Sequence, residues 1–513
     1  MSKGHIWMTL TLALMGTGVA WAQSDQNPPP APPPVPAFGQ ENPAPPVSEN
    51  PPISAIDQPG LEPHAAPESF LLPGLHFSES VDSNVANTLG GSSTSSVTRG
   101  LGSLTLQKLW KNYDVAMDYI GGAAYYAHTG IGLQQLQQLD VDNRINWKRG
   151  QLAVRDSFSY LPEGTFGFGA YGGSGAYNAG FGSLGAGMLG AGAFGGQTNA
   201  FTGGEGVSVG QVPRLTNLGL ADIVEELTPK SSVTLAAGYG IVHFYDLQST
   251  SDSEENIDFI GSREFITQAG YDRILNAKDQ VALSYGYQGF DFSTVGTAFH
   301  SNVIQAMYGH RISGRLDFTI GAGPQFTHIG APCTVADFNP SNPSDPCTVN
   351  AQGQIVGQET GNHLGAVGRL SLRYKFPRTT VALSFQRYNT SGSGIFAGSL
   401  SDVARLGVRR PLNRVWELFS DLGYSKNSRL QVPGSAVNAN IFYDGYAGVG
   451  LHRQFTRSLR GFVSYQFNEL AFDTSCPVVN QSGTTTLVAC SNSSQRHVGS
   501  IGLDWTPRPI RLD

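Results

Sequence analysis

The stretch GRLSLRYKFPRTTVALSFQRY, from Gly368 to Tyr388, decides the fold of this chain. In its first half, Leu, Tyr and Phe alternate with Arg, Ser and Lys, and after a short break at Phe376–Thr379 the alternation resumes as far as Phe385. In an extended backbone, successive side chains point to opposite faces, so one face here is apolar and the other polar. The stretch therefore predicts a β-hairpin with an apolar side and a hydrated side.

The amino-terminal residues indicate where that apolar side lies. Lys3 precedes an apolar run from Ile6 to Val19, and the small residues Ala20 and Ala22 then form a cleavage site. This pattern predicts a secretory signal peptide over residues 1–22, whereas no other run is long and apolar enough for a membrane-spanning helix. An exported chain of alternating strands either packs its apolar face on a core or presents it to lipid.

The composition favours a barrel with a hydrated interior. Hydrophobic residues make up 40% of the chain and its mean hydropathy is -0.16, yet it contains 64 Gly, 19 Tyr and 27 Phe. Such a chain is polar on average and rich in strand-compatible aromatics, as a wall with one wet face requires. The net charge of -7 and the absence of a long basic tract exclude a nucleic-acid-binding role.

Residues 23–68 are dominated by proline, as in Pro28–Pro34. Proline at this density precludes helices and central strands, so we expect a disordered, extended periplasmic tail. The tail is either a spacer or a docking segment for a periplasmic or cell-wall partner, and it shows no pattern of a folded plug domain.

The connections between the predicted strands alternate strictly between short and long. This order predicts an all-β fold over residues 69–513, a transmembrane antiparallel up-and-down β-barrel of about 18 strands (16 to 18), with short periplasmic turns and long outer loops. An ordinary soluble β-protein is the alternative, but a run of hairpins this long exceeds the usual size of a soluble sandwich. The short breaks are Trp110–Asn112, Lys148–Gly150, Thr228–Lys230, Asn276–Lys278, Ser313–Arg315, Phe376–Arg378, Pro411–Asn413 and Phe455–Arg457.

From Phe70 to Pro509 the chain resembles the Gram-negative outer-membrane β-barrel porins, including the large group of β-barrel porins known mainly from sequence. The resemblance lies in the architecture rather than in a specific motif. It implies an outer-membrane location, contact with outer-membrane lipid, and recognition by the barrel assembly machinery through a final strand that ends on an aromatic residue. Trp505 suits that role, although Thr506–Asp513 extend beyond it.

The four cysteines form two pairs, Cys333 with Cys347 and Cys476 with Cys490, each within one predicted outer loop. Export places them in an oxidising compartment, so we expect two disulfides. Metal binding is disfavoured because neither pair has a C-x-x-C spacing and neither enclosed segment contains His. We expect no metal and no cofactor.

The longest loop, residues 162–213, is rich in glycine with scattered Phe, Tyr, Leu and Met. Its two G-x-G-x-x-G matches lack the strand and helix of a nucleotide-binding unit, so they carry no such meaning. The loop is a lumen constriction, a lid over the outer mouth, or a mobile surface loop. Elsewhere no nucleophile elbow, H-E-x-x-H helix or paired-carboxylate motif is present, and we expect no enzyme activity.

The polar face of a transmembrane barrel lines its lumen, so charges on that face are the readable selectivity signal. Such charges either pair and merely hydrate the wall or create a transverse field across the lumen. The sequence predicts a channel for passive diffusion of small hydrophilic solutes with a mild preference for anions. The alternatives are a polysaccharide export channel and a plugged barrel that acts as a surface adhesin or receptor. The predicted lumen-lining charges are Arg144, Arg155, Arg369, Arg373, Arg405, Arg409, Asp118, Asp140, Asp142, Glu417 and Asp421.

Overall fold

The computed structural model describes most of the predicted barrel and three residues of the proline-rich region. Among these residues, no helix is long and apolar enough to cross a membrane. The described residues are 52–54, 69–85, 94–127, 132–161, 213–245, 260–292, 295–333, 346–351, 353–392, 396–430, 441–473, 476–479, 485–488 and 493–512.

The described residues form β-strands joined by turns and loops. The strands are β1 (Phe70–Asp82), β2 (Ser95–Leu109), β3 (Tyr113–Tyr126), β4 (Gly132–Trp147), β5 (Gly150–Leu161), β6 (Arg214–Thr228), β7 (Ser231–Phe244), β8 (Ser262–Ile274), β9 (Asp279–Phe292), β10 (Thr297–Ser313), β11 (Leu316–Pro332), β12 (Thr348–Val349), β13 (Ile355–Val356), β14 (Gln358–Lys375), β15 (Thr380–Thr390), β16 (Ser399–Pro411), β17 (Trp416–Arg429), β18 (Ile441–Gln454), β19 (Leu459–Phe472), β20 (Cys476–Val479), β21 (Thr485–Val488), β22 (Ser493–Trp505) and β23 (Ile510–Arg511).

The main sheet closes into a ring of antiparallel strands. From β1 to β11 each strand pairs with the next, β11 pairs with β14, and β19 pairs with β22. The ring closes where β1 pairs with β22, with Phe77 opposite Leu503. Two small hairpins, β12–β13 and β20–β21, stand apart from this sheet. The predicted all-β antiparallel barrel is therefore confirmed.

The main sheet has one strand more than predicted. Within the described residues it has 19 strands, of which 18 close the ring, whereas 16 to 18 were expected. The last strand of this sheet is the two-residue strand β23, which pairs with Phe70 and Leu71 of β1. It lies in Thr506–Asp513, the segment predicted to extend beyond the final strand. A strand of two residues could not be predicted there, because two residues are too few to show an alternating pattern.

The opening hairpin forms as predicted between β14 and β15. Leu372 lies opposite Leu383, and Lys375 lies opposite Thr380 at the turn. The turn is closed by the Phe376 amide, which donates to the Thr379 carbonyl at 2.7 Å. All eight predicted short breaks likewise separate adjacent strands. We call the rim that carries them the short-turn rim and the opposite one the long-loop rim.

The barrel is apolar outside and polar inside. Along β9, the exposed fraction is 56% for Leu283 and 48% for Tyr285, whereas Ser284 and Gln288 on the other face are 5% and 2% exposed. The same alternation runs through β22, where Ile501 is 60% exposed and Ser500 is 6% exposed. A soluble protein shows the reverse arrangement, so the outer surface matches lipid and the inner surface matches water.

Candidate functional site

The inner wall, meaning the side chains that point into the ring, is lined mainly by hydroxyl, amide and charged groups. These groups are hydrogen-bonded across strands; for example, Ser301 and Thr327 are 2.9 Å apart through their hydroxyl oxygens. Buried polar residues of this wall include Thr105, Ser159, Thr216, Ser232, Thr234, Gln268, Gln280, Ser284, Gln288, Gln305, Gln325 and Asn468.

One group of predicted charges forms an ion-pair network on β4, β5 and β6. Arg155 is 2% exposed; its Nη1 lies 2.8 Å from Asp222 Oδ1 and its Nε lies 3.8 Å from Asp142 Oδ1. Arg144 reaches the other oxygen of Asp142 at 2.8 Å. Sequence reasoning missed Asp222, whose position on the inner face of β6 follows from the alternation of that strand.

Asp118 and Asp140 lie beside that network on β3 and β4, opposite one another in the strand register. They are 2% and 9% exposed. Asp140 accepts hydrogen bonds from Ser157 Oγ at 2.5 Å and from Gln138 Nε2 at 3.2 Å. The two carboxyl groups are therefore part of one polar patch, and neither is an isolated charge.

The predicted arginines on β14 and β16 lie in different surroundings. Arg373 binds Asp317 on β11, with Nη2 2.6 Å from Oδ2, and Arg409 binds Glu417 on β17. Arg369 donates from Nη2 to the carbonyl oxygen of Ile53 at 2.5 Å. For Arg405 and Asp421 the backbone positions are described: they lie opposite Ser384 and Gly407.

Further arginines line the long-loop half of the barrel, and sequence reasoning missed them. Arg99, Arg214 and Arg496 are each at most 4% exposed. Arg496 pairs with Asp82 across the closing seam, with Nη2 2.5 Å from Oδ2, and Arg99 donates to Ser80 Oγ at 2.7 Å. The strands of Arg99 and Arg496 are rich in Ser, Thr and Gly, so the apolar alternation that would have placed these arginines on the inner face is weak there, and Arg214 is the first residue of β6.

The described residues of the connection between β15 and β16 lie inside the barrel. We call these residues, 390–392 and 396–398, the inward loop. Phe396 is 6% exposed and packs on Phe442 with ring centroids 5.2 Å apart. Ala397 packs in an apolar cluster of inner-wall residues from β9, β10 and β11, namely Phe290, Phe292, Phe299 and Ile329. The loop therefore contacts strands on both of its sides and narrows the lumen.

Glycines allow the inward loop to turn. Gly392 and Gly398 adopt positive φ angles of 85° and 93°, a region that glycine enters readily. The Phe396 amide donates to the Gly392 carbonyl at 3.1 Å, and the Gly398 amide donates to the Ser391 carbonyl at 3.1 Å. A Cβ at Gly398 would lie 2.4 Å from the Phe299 ring, so the backbone itself packs against the wall.

The glycine-rich segment 162–213 was predicted to be a lumen constriction, a lid or a mobile surface loop, and this prediction is not tested because residues 162–212 lie outside the described residues. The signal for the inward loop was the apolar run Ile395–Ala397 placed between glycines in a short connection. Polar residues are usual in an exposed loop, so this run indicates burial.

The two cysteine pairs have different outcomes. The Cys333–Cys347 disulfide is present, with Cα atoms 5.6 Å apart, and it closes the long loop between β11 and β14. Cys490 lies outside the described residues, so the Cys476–Cys490 bond stays a prediction. Within the described residues, no group of three or more His, Cys, Asp or Glu side chains is arranged to hold a metal ion.

The closed ring, the apolar outer surface and the polar inner wall together decide the class of protein. The chain forms a closed β-barrel with the polarity of an outer-membrane barrel. An apolar outer surface around a polar inner wall is typical of the porins in the outer membrane of Gram-negative bacteria.

Comparisons with known proteins give remote structural matches, with TM-scores below 0.5. No protein-family model matches the sequence, and no curated protein matches it. Among solved structures, OpdK of Pseudomonas aeruginosa, crystallised with vanillate, aligns at 10% identity over 85% of this chain and 99% of its own, with a TM-score of 0.39. OccK2 (OpdF) of the same species aligns at 8% identity over 86% and 98% of the two chains, with a TM-score of 0.39. The siderophore receptor PiuA of Acinetobacter baumannii aligns at 8% identity over 87% and 82%, with a TM-score of 0.42.

Proposed function

We propose that the protein is an outer-membrane channel for the passive diffusion of small hydrophilic solutes. The observation that carries this proposal is the polar inner wall of a closed barrel, because hydroxyl, amide and charged groups that point into the ring are the lining that a hydrated passage through a membrane requires. The inward loop restricts the pathway to small solutes, because it occupies part of the lumen between β9–β11 and β18–β19.

We further propose a mild preference for anions. The arginines on β14 and β16 lie halfway around the ring from Asp118 and Asp140 on β3 and β4, so charges of opposite sign face one another across the lumen. A low-dielectric wall focuses such charges into a transverse field that orients dipolar solutes. The preference is mild because Arg373 and Arg409 each pair with an acidic neighbour.

Two measurements test these proposals. Proteoliposomes that contain the folded protein should swell in isosmotic solutions of small sugars and amino acids but not of large oligosaccharides. Reversal potentials in a KCl gradient should show a modest preference for chloride, which Arg373→Gln should reduce. Arg378→Gln, an exposed residue of the short turn after β14, is the matched control and should leave the reversal potential unchanged. A cation preference in the wild type would overturn the anion proposal, and the absence of swelling with every solute would overturn the channel.

A plugged barrel that acts as a surface adhesin or receptor is the second candidate. It is favoured by two observations, the inward loop and residues 52–54, both of which occupy space inside the ring. Swelling with small solutes would exclude it, whereas ligand binding by intact cells without any swelling would support it.

A further inference from the structure

Residues 52–54 of the proline-rich region lie against the inner wall of the barrel, with Ser54 0% exposed. The Ser54 amide donates to Asp272 Oδ1 at 3.0 Å, and its hydroxyl group donates to the other carboxylate oxygen. The same hydroxyl lies 2.7 Å from Thr234 Oγ1. Both donors of this serine are therefore satisfied by one carboxylate, a charge-assisted arrangement.

The carbonyl groups of the segment are bound as well. Arg369 donates to the Ile53 carbonyl at 2.5 Å, and Gln268 Nε2 donates to the Ser54 carbonyl at 2.6 Å. The wall thus offers acceptors to the donors of the peptide and donors to its acceptors. A site of this kind recognises the polar backbone groups of a peptide segment.

Ile53 supplies an apolar contact beside these hydrogen bonds. It is 9% exposed and packs on Ala282 of β9 and Met307 of β10. Gly309 lies beside it, where a Cβ would be at an ordinary contact distance of 3.4 Å from Ile53 Cγ2. The site therefore spans β7, β8, β9, β10 and β14, which lie in one part of the ring with β11 between β10 and β14.

The site lies in the short-turn half of the barrel. Thr234 is close to the start of β7, and Asp272 is close to the end of β8, both of which are at the short-turn rim. β1 begins at Phe70 at this same rim. The segment can thus reach its site from the rim at which its own chain enters the wall, without crossing the barrel.

We propose that residues 52–54 are a tethered stopper, which binds the inner-wall site formed by Thr234, Gln268, Asp272 and Arg369 and partly closes the channel from the short-turn side. This inference rests on the proposed channel function. Release of the segment from the site widens the pathway, and the bound segment restricts it. The proline-rich composition predicted a tail outside the barrel and gave no sign of this docking.

A glycine of the site allows a steric test. A Cβ at Gly270 would lie 2.4 Å from Ser54 Oγ, 2.6 Å from Ser54 Cβ and 2.5 Å from Thr234 Oγ1, so Gly270→Ala should displace the segment and shift the Thr234 hydroxyl that contacts it. Gly286 lies on the inner face of the next strand, where a Cβ would meet its nearest neighbour at an ordinary 3.7 Å. In planar bilayers we expect Gly270→Ala to have a larger single-channel conductance and fewer long closures than the wild type, whereas Gly286→Ala should match the wild type.

Cross-linking measures the docking independently of conduction. In the variant Ser54→Cys with Thr234→Cys, the two sulfur atoms replace oxygens that are 2.7 Å apart, and peptide mapping should find them disulfide-bonded in the folded protein. The oxidised variant should stay in the low-conductance state and open on reduction, and adding Gly270→Ala should lower the cross-linking yield.

Any one of three outcomes would contradict the proposal that residues 52–54 act as a tethered stopper. They are no cross-link in folded protein, the same conductance before and after reduction, or the same conductance for wild type and Gly270→Ala. If instead no variant conducts at all while the cross-link forms, the docking is real but the channel function and the stopper role both fail.

Discussion

Individual charged side chains hold neighbouring strands of the inner wall in register. Arg155 shows this most clearly, because it lies directly opposite Asp142 and also reaches Asp222 on the next strand. Removing one member of a buried ion pair leaves its partner as an uncompensated charge, which costs more than the pair itself contributes. Arg144 also binds Asp142, but its side chain is 26% exposed and water screens the loss of that pair.

The contrast between these two arginines gives a prediction. Arg155→Ala should lower the free energy of unfolding by about 3–5 kcal/mol, and Arg144→Ala should lower it by about 1 kcal/mol or less. Urea-induced unfolding from lipid vesicles, followed by tryptophan fluorescence, measures both. Equal losses for the two variants would mean that Arg155 is hydrated and does not bridge the strands.

Among the structural elements, the inward loop determines how much of the lumen stays open. Its Phe396 side chain is anchored on Phe442 and Leu470, and Asn389 just before it donates to Ser301 Oγ at 2.9 Å and Thr327 Oγ1 at 3.0 Å. The loop is therefore held by an apolar anchor on one side and by hydrogen bonds on the other. We expect the apolar anchor to dominate, because each neutral hydrogen bond contributes only about 1 kcal/mol.

The anchor can be tested by truncation. Phe396→Ala removes a buried aromatic side chain at a cost of about 3–5 kcal/mol, so the loop should detach, become sensitive to protease and let the conductance rise. Phe376→Ala, in the short turn after β14 and 49% exposed, is the control and should change neither property. A protease-resistant loop with unchanged conductance in Phe396→Ala would show that other contacts position the loop.

The strands and their turns could be predicted from the sequence, whereas the segments inside the ring could not. Alternation in stretches such as Gly368–Tyr388 is a local property, and each wall strand needs only its own side chains and its neighbour to form. The positions of Phe396 and Ser54 depend on strands far away in the chain, β18 for the first and β8 for the second. Likewise, Arg155 and Arg373 were expected on the polar face, but their partners Asp222 and Asp317 lie across long loops, where the sequence does not specify the register.

If the whole molecule is a membrane barrel, its outer surface must face lipid. Val463 lies five residues into β19 and is 57% exposed, while Leu412 lies in a turn at the short-turn rim and is 44% exposed. In water, an arginine at either position would be tolerated, since both side chains are on the surface. In a bilayer, an arginine near the midplane of the wall costs about 2–4 kcal/mol, and one near the interface costs about 0–1 kcal/mol.

Val463→Arg should therefore reduce the free energy of folding into phosphatidylcholine vesicles by about 2–4 kcal/mol, and Leu412→Arg should change it by about 1 kcal/mol or less. Reversible urea titrations in the presence of vesicles give both values. A neutral Val463→Arg variant would place this surface in water and contradict the membrane barrel.

The central claim is that water and small solutes pass through the ring, and single-channel recording in a planar lipid bilayer tests it most directly. Full-length protein, refolded in detergent and confirmed as β-structured by circular dichroism, is added to one side of the bilayer. An open channel that residues 52–54 partly close should give discrete, stepwise increases in current, which scale with salt concentration and are interrupted by closures. Folded protein that inserts into the bilayer and gives no current steps would contradict the claim.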